Sequence, residues 1–173
     1  MTGRSVAELT IGLVGAGAMG RGIAQVSAVG GINTLIFDTI PGAADDAIAF
    51  VGTMLNRQVE KGRMEESMAS AAMERLRSAK ALTELASCDV VIEAVIEDLV
   101  VKQALFRELE TVIRTDAILA SNTSSLRIAA IASACKHRGR VGGLHFFNPV
   151  PLMKLVEVVR APDTTDDVIA NLF

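Results

Sequence analysis

The stretch Thr10-Ile11-Gly12-Leu13-Val14-Gly15-Ala16-Gly17-Ala18-Met19-Gly20 carries most of the information about the fold of this 173-residue chain. It begins as a short, largely apolar strand, and its later glycines follow the pattern G-x-G-x-x-G. In that pattern the first glycine allows a tight turn, the second lets a pyrophosphate approach the backbone, and the third lets helix and strand pack closely. The stretch therefore predicts a strand, a glycine-rich turn and a helix whose N-terminus faces phosphates.

Asp38 completes this pattern, because it ends the next predicted strand and lies 18 residues beyond Gly20. A carboxylate at that position accepts hydrogen bonds from both ribose hydroxyls and repels a 2′-phosphate. The two features together predict a site for NAD rather than NADP. We expect the cofactor to contact Gly15, Gly17, Ala18, Met19, Gly20 and Asp38. The alternative is an ordinary glycine-rich turn in which Asp38 only caps a helix.

Short apolar runs alternate with longer helical patterns along the chain, which is typical of βαβ units and a parallel sheet. We expect strands at residues 10–14, 34–37, 90–93, 118–120, 141–145 and 154–160. Helices are expected at residues 19–28, 42–61, 64–77, 99–114 and 128–134. The predicted fold class is α/β: a Rossmann-type, doubly wound, mostly parallel sheet, with residues 1–173 forming one NAD-binding domain.

The region 45–77 is longer than one crossover helix requires, and Gly62 interrupts it. We therefore expect two helices that form a hairpin projecting from the sheet. One interpretation is a helical insertion that only adds to the core. The other is a wall over the active-site crevice, with Lys61 and Arg63 near its tip facing an anionic ligand.

The composition argues against several classes of function. Half of the residues are hydrophobic, 21% are charged and the net charge is −3. Acidic and basic residues are mixed, so we expect no nucleic-acid partner, and no apolar run approaches the ~18 residues of a membrane span. The N-terminus lacks the pattern of a signal peptide. Cys88 and Cys135 make neither a disulfide framework nor a metal site, so we expect a cytoplasmic protein without a metal.

Polar residues follow three predicted strands at their carboxyl ends, where open α/β sheets bind their ligands. These residues are Glu97, Ser124, His145 and Asn148. An imidazole exchanges protons readily near neutral pH, and His145 is one of only two histidines. Simpler explanations exist: Ser124 or Ser125 caps the next helix, His145 is a satisfied core residue, and Glu157 is the polar side of an edge strand. The convergence of all these polar residues on one edge of a nucleotide-binding sheet nevertheless favours an active site.

Four segments of the chain resemble the L-3-hydroxyacyl-CoA dehydrogenase family, in its order and at its spacing. They are residues 15–24, Glu93-Ala94-Val95-Ile96-Glu97-Asp98, Ser121-Asn122-Thr123-Ser124-Ser125 and residues 145–157. Together they cover the NAD-binding domain of the family from end to end. The resemblance implies NAD-dependent oxidation of an L-3-hydroxyacyl-CoA to the 3-oxoacyl-CoA.

The resemblance also implies a role for each matching residue. His145 is the general base that takes the proton of the 3-hydroxyl, and Glu157 is the carboxylate that fixes its tautomer. Ser124 hydrogen-bonds the reacting oxygen, and Asn148 orders the site near the nicotinamide. Assigned to the cofactor are Glu97, Lys102, Asn122, Ser124 and Asn148. Assigned to the CoA substrate are Lys61 and Ser124.

Members of this family continue into an all-helical second domain that forms the dimer interface and covers the acyl chain, and we expect this sequence to hold the first domain alone. Pro162-Asp163-Thr164-Thr165 predicts a turn and N-cap before a helix within 163–173 that leads towards that domain. Reduced activity and self-association of the 173-residue chain are further expectations. Two alternatives stay open: a 3-hydroxyacid dehydrogenase, which would not explain His145 with Glu157, and a non-catalytic NAD-binding protein similar to a lens crystallin.

Overall fold

A seven-stranded sheet forms the centre of the molecule, and the computed structural model describes residues 5–173. The strands are β1 (Thr10–Val14), β2 (Asn33–Phe37), β3 (Leu76–Ser78), β4 (Val90–Glu93), β5 (Ile118–Ser121), β6 (Val141–Phe146) and β7 (Val156–Val159). The α-helices are α1 (Ala18–Val29), α2 (Ala43–Glu60), α3 (Glu66–Glu74), α4 (Leu99–Val112), α5 (Ile128–Ala132) and α6 (Asp166–Leu172). Short 3-10 helices lie at Val6–Glu8, Leu82–Ser87 and Arg138–Arg140.

The strand order is β3-β2-β1-β4-β5-β6-β7, and each neighbouring pair is parallel except β6 and β7, which are antiparallel. The direction of winding reverses between β1 and β4. The connections that leave these two strands therefore diverge and open a crevice at their carboxyl ends. The predicted Rossmann-type, doubly wound, mostly parallel sheet is confirmed.

The core lies in two layers, one on each face of the sheet. On one face α1, α2 and α3 contribute Ile23, Val51, Leu55 and Ala72. On the other face α4 and α5 contribute Phe106, Leu109 and Ile131. All residues of β4 and β5 are buried, as the continuous apolar character of both runs predicts for strands covered on two faces.

The segment around Leu76 corrects one expectation, because the predicted helix 64–77 ends earlier, at Glu74. The chain then forms β3, which pairs in parallel with β2 through Thr34↔Leu76 and Ile36↔Ser78. Leu76 is buried in the core and Arg77 is exposed. A three-residue strand is too short for its alternating pattern to be recognised beside a helical pattern. The backbone hydrogen bonds with β2 therefore determine the conformation of this segment.

The helical hairpin is confirmed, with α2 and α3 joined by a turn in which Gly62 has a φ of +61°. Ala47 and Val51 of α2 and Ala69 of α3 are buried in the same core as α1. The hairpin therefore contributes to the core, whatever else its tip does. No helix within residues 5–173 is long and apolar enough to cross a membrane.

The last helix, α6, begins after Thr165, at the predicted position. The side chain of Thr165 makes no capping hydrogen bond. Instead the Thr164 hydroxyl accepts a hydrogen bond from Ala161 N at 2.9 Å and donates one to Val141 O at 2.6 Å. This turn ties the start of α6 to the start of β6.

Candidate active site

The glycine-rich turn has the geometry that its sequence predicts. Gly15 has a φ of +104°, and a Cβ built there would lie 2.6 Å from Ala94 O. A Cβ on Gly20 would lie 1.8 Å from Gly15 O, so only glycine lets α1 pack this closely on the turn. A Cβ on Gly17 would meet nothing within 4 Å. The space in front of the α1 N-terminus is therefore open to a ligand, and no side chain of the described residues caps that end.

Asp38 connects this turn to the end of β2. Its Oδ2 accepts a hydrogen bond from Ala16 N at 2.7 Å, and its Oδ1 accepts one from Ile40 N at 2.9 Å. The nearest following helix, α2, begins only after Gly42, so Asp38 is not a helix cap. Each carboxylate oxygen has more than one acceptor site, and both can still accept a hydroxyl.

Two clefts open at the carboxyl ends of the strands. The His145 cleft, about 340 Å³, is lined by Met19, Ala94, Val95, Glu97, Lys102, Asn122, Ser124, His145, Phe146, Phe147 and Asn148. The Asp38 cleft, about 540 Å³, lies around Gly15, Gly17, Phe37, Asp38 and Ile40. Ala94 and Val95 line both. The two clefts therefore adjoin just past the end of β4.

His145 and Glu157 form a pair at the edge of the His145 cleft. They are direct partners in the antiparallel register of β6 and β7, and His145 Nδ1 lies 2.9 Å from Glu157 Oε2. Because a carboxylate only accepts hydrogen bonds, Nδ1 carries the proton and Nε2 remains the basic nitrogen. The Phe147 ring packs against the imidazole with centroids 4.4 Å apart. Glu157 on the edge strand β7 is thus within hydrogen-bond distance of the His145 ring.

Glu97 holds the loop that carries Ser124. Its Oε1 accepts hydrogen bonds from Thr123 Oγ1, from Ser124 N at 3.1 Å and from Ser125 N and Oγ at 3.2 and 3.0 Å. The next helix, α5, has Arg127 at its N-cap, so neither serine is a helix cap. Partial burial alone would raise the pKa of Glu97, but the hydrogen bonds from the Thr123 and Ser125 hydroxyls and the charge of the Lys102 ammonium outweigh it and lower the pKa to about 2.

Lys102, predicted on the cofactor side, is only 1% exposed. Its Nζ lies 2.5 Å from Glu93 Oε1 and 3.3 Å from Glu97 Oε2. Sequence reasoning missed Glu93, which is fully buried. The signal was available, since Glu93 is a lone carboxylate at the end of the apolar run Val90-Val91-Ile92, and buried carboxylates are found paired.

The remaining predicted site residues lie in the His145 cleft or in a third cavity, which we call the Arg21 groove. The Arg21 groove is lined by Ala18, Arg21, Gly22, Gln25, Phe50, Met54, Gln58 and residues 148–152. Asn148 lines both the His145 cleft and the Arg21 groove, whereas Ala18 lines the Arg21 groove but not the His145 cleft. Asn122 lines the His145 cleft, and its Oδ1 accepts a hydrogen bond from Phe146 N at 2.8 Å. Lys61 is exposed at the hairpin tip, and it is not among the residues that line the His145 cleft.

Comparison with known proteins identifies the family. The sequence profile described as 3-hydroxyacyl-CoA dehydrogenase, NAD binding domain, matches residues 10–173. The chain belongs to this family. It is 41% identical over 156 residues to a 3-hydroxybutyryl-CoA dehydrogenase of Bradyrhizobium diazoefficiens, covering 90% of this chain and 53% of that protein. It is 42% identical over 163 residues to a 3-hydroxyadipyl-CoA dehydrogenase of Escherichia coli, covering 94% of this chain and 34% of that protein.

The fold of this NAD-binding domain is also found among solved structures. The (S)-3-hydroxybutyryl-CoA dehydrogenase of Ralstonia eutropha superposes with a TM-score of 0.92 at 36% identity, over 97% of this chain and 59% of that one. The chain spans from about a third to somewhat over half of the length of these relatives. NAD as the cofactor is confirmed by the family, and the open space at Gly17 beside Asp38 fits it.

Proposed function

We propose that this chain provides the NAD site and the proton-transfer residues for the oxidation of an L-3-hydroxyacyl-CoA to the 3-oxoacyl-CoA. One observation carries the proposal: the His145–Glu157 pair, Ser124 and Asn148 meet in or beside a cleft that adjoins the Asp38 cleft. A non-catalytic NAD-binding protein would need no basic nitrogen there. The relatives named above are 3-hydroxybutyryl-CoA and 3-hydroxyadipyl-CoA dehydrogenases.

The side chains of the His145 cleft are suited to moving one proton. His145 Nε2 takes the proton of the 3-hydroxyl, and the Glu157 carboxylate stabilises the imidazolium that forms. The Ser124 hydroxyl donates a hydrogen bond to the reacting oxygen while that oxygen becomes a carbonyl. Bound NAD supplies the acceptor for the hydride. Glu97, Asn122 and Asn148 also line this cleft, and we assign them to the cofactor, where they would orient the reactants.

The Arg21 groove supports an acyl-CoA as the substrate, because it starts at Asn148 and runs between α1 and α2. Arg21 lies 3.9 Å from the centroid of the Phe50 ring, so a cation is held beside the groove. Gln58 lines the groove, and Lys61 follows it by one turn at the end of α2. We assign Lys61 to the CoA phosphates on this basis.

The two cysteines bear on the cellular compartment, and the exposed apolar residues bear on a neighbouring domain. Cys88 and Cys135 are buried free thiols, and burial raises the pKa of each to about 11. Unreacted thiols support a reducing compartment, and we place the protein in the cytoplasm. Leu152 and Leu155 are 73% and 51% exposed. We assign this apolar surface to an interface with a helical domain.

NADH formation from L-3-hydroxybutyryl-CoA tests the proposal. The assay compares this chain with a version extended by the C-terminal part of the Bradyrhizobium relative. We expect turnover in the extended version and its loss in H145A. The matched control is H137A, because His137 is the second histidine and is exposed away from the cleft. Full activity of H145A, or no oxidation of any 3-hydroxyacyl-CoA by the extended version, would overturn the proposal.

A further inference from the structure

Glu93 is a fully buried carboxylate for which the reaction above has no use. Its Oε1 accepts hydrogen bonds from Lys102 Nζ at 2.5 Å and from Val95 N at 2.8 Å. Its Oε2 accepts one from Ser121 Oγ at 2.6 Å. A buried ion pair contributes little net stability compared with apolar side chains of the same size. Core stability alone therefore does not explain a carboxylate at the end of β4.

Lys102, the partner of Glu93, lies between the carboxylates of Glu93 and Glu97. Lys102 lies in the first turn of α4, and its ammonium has three acceptors within reach: Glu93 Oε1, Val95 O at 3.5 Å and Glu97 Oε2 at 3.3 Å. Since an ammonium has three donors, this set uses all of them. The position of Lys102 Nζ is fixed by Glu93 on the buried side, and Nζ in turn binds Oε2 of Glu97.

With Oε2 bound to Lys102, Glu97 presents Oε1 to the loop. That single oxygen accepts hydrogen bonds from the backbone amides of Ser124 and Ser125 and from the hydroxyls of Thr123 and Ser125. Ser124 lines the cleft beside His145. A continuous set of charge-assisted hydrogen bonds thus leads from the sheet interior to Ser124.

We propose that Glu93 is a positioning residue of this site: it holds Lys102 so that Glu97 fixes the loop carrying Ser124. The consequence for catalysis rests on the function proposed above, whereas the effect on the loop does not. With a neutral residue at 93, Glu97 is the only carboxylate left to Lys102. The ammonium then moves towards Glu97, draws its carboxylate away from the loop and loosens Ser124.

Three variants separate positioning from stability. E93Q removes the charge and keeps the size of the side chain, K102M removes the ammonium, and E93Q/K102M removes both buried charges. K102M leaves the buried Glu93 carboxylate without its cation, and E93Q leaves Lys102 only the partly exposed Glu97 as a partner. We therefore expect the Tm of each single variant to fall by roughly 10 °C. The double variant has no unpaired buried charge, so most of that loss is expected to return. The double variant also keeps the test valid if E93Q fails to fold.

Amide exchange measured by NMR on the unliganded chain reads the loop directly. We expect Ser124 N–H and Ser125 N–H to exchange roughly tenfold faster in all folded variants. In E93Q the ammonium draws Glu97 away from the loop, and in the two variants without Lys102 the Oε2 of Glu97 has lost the cation that held it. The internal control is a similar pair elsewhere: Lys136 N and His137 N each donate to the Glu110 carboxylate at 2.8 Å. Glu110 lies in the last turn of α4, away from Lys102, and its two amides should exchange as in the wild type.

Kinetics in the extended enzyme provide the second readout. We expect kcat to fall roughly tenfold in E93Q/K102M although its Tm has recovered. The proposal is wrong if the Ser124 and Ser125 amides of the double variant exchange as in the wild type, or if kcat recovers together with Tm. If no 3-hydroxyacyl-CoA is oxidised at all, the proposed function fails, and the amide exchange still decides the role of Glu93.

Discussion

His145 and Glu157 stand directly opposite each other on two paired strands, and the backbone of the sheet fixes their separation. The register Gly143↔Val159, Leu144↔Val158 and Phe146↔Val156 brackets them. Directly opposed residues of an antiparallel pair hold their side chains close together. The 2.9 Å contact between Nδ1 and Oε2 is thus built into rigid strands, and the ring is oriented before any ligand binds.

E157Q tests the electrostatic part of this pair. Glutamine retains an oxygen that can accept the Nδ1 hydrogen bond, so the ring orientation is kept and only the negative charge is lost. We expect kcat of the extended enzyme to fall at least about tenfold, because the imidazolium formed in the reaction is stabilised less. The Kd for NAD should not change. Steady-state rates with L-3-hydroxybutyryl-CoA and calorimetry with NAD measure the two quantities.

The matched control for this experiment is E74Q, which neutralises an exposed carboxylate at the end of α3 and should leave kcat unchanged. A wild-type rate in E157Q would show that Glu157 is only a polar residue of the edge strand.

Asp38 is expected to make the domain select NAD over NADP. Its carboxylate lies at the end of β2, facing the Asp38 cleft, and both oxygens can still accept hydroxyl groups. A 2′-phosphate would replace one hydroxyl with negative charge, so we expect NAD to bind roughly 10–100-fold more tightly than NADP. D38N should narrow this ratio mainly by weakening NAD. Calorimetry with both cofactors measures the ratio, and equal wild-type affinities would contradict the assignment.

Glu97 should make the stability of the fold depend on acid pH. Its pKa is lowered from 4.5 to about 2 in the folded state. A depressed folded-state pKa stabilises the protein above the unfolded value, and that contribution disappears as the pH falls through the folded value. We expect E97Q to be less stable than the wild type near pH 7 and the difference to shrink between pH 4.5 and about 2. Urea unfolding of both proteins measures this. A difference that is constant over that range would rule out the ionised Glu97 as its cause.

Much of the fold could be predicted from the sequence because its signals are local. The glycine turn and the apolar runs of β1, β4 and β5 depend on neighbouring residues. The strand β3 could not be predicted, since three residues carry no clear period and their conformation depends on β2, about 40 residues away. In the site, Glu93 is another case in which the sequence alone could not predict the spatial neighbours of a residue. The sequence places a carboxylate at the end of a strand, but only the fold shows that Lys102 and Ser121 surround it.

The final prediction concerns the 173-residue chain by itself. It contains the glycine turn, Asp38 and the His145 cleft, so we expect it to bind NAD. The cleft is open on the side of Asn148, which is exposed, and the neighbouring Leu152 and Met153 are 73% and 43% exposed. Water that enters there weakens hydrogen bonds to the reacting oxygen, and a substrate bound without a cover loses orientation.

We therefore expect this chain to oxidise L-3-hydroxybutyryl-CoA at least about 100-fold more slowly than the extended enzyme, because small losses of alignment are costly in rate. Its exposed apolar surface should also promote self-association. Sedimentation velocity combined with NADH formation at matched protein concentrations measures both effects. The sedimentation data show which species is active, and H145A corrects for background oxidation. Equal kcat values for a verified monomer of this chain and for the extended enzyme would show that residues 1–173 complete the active site without a further domain.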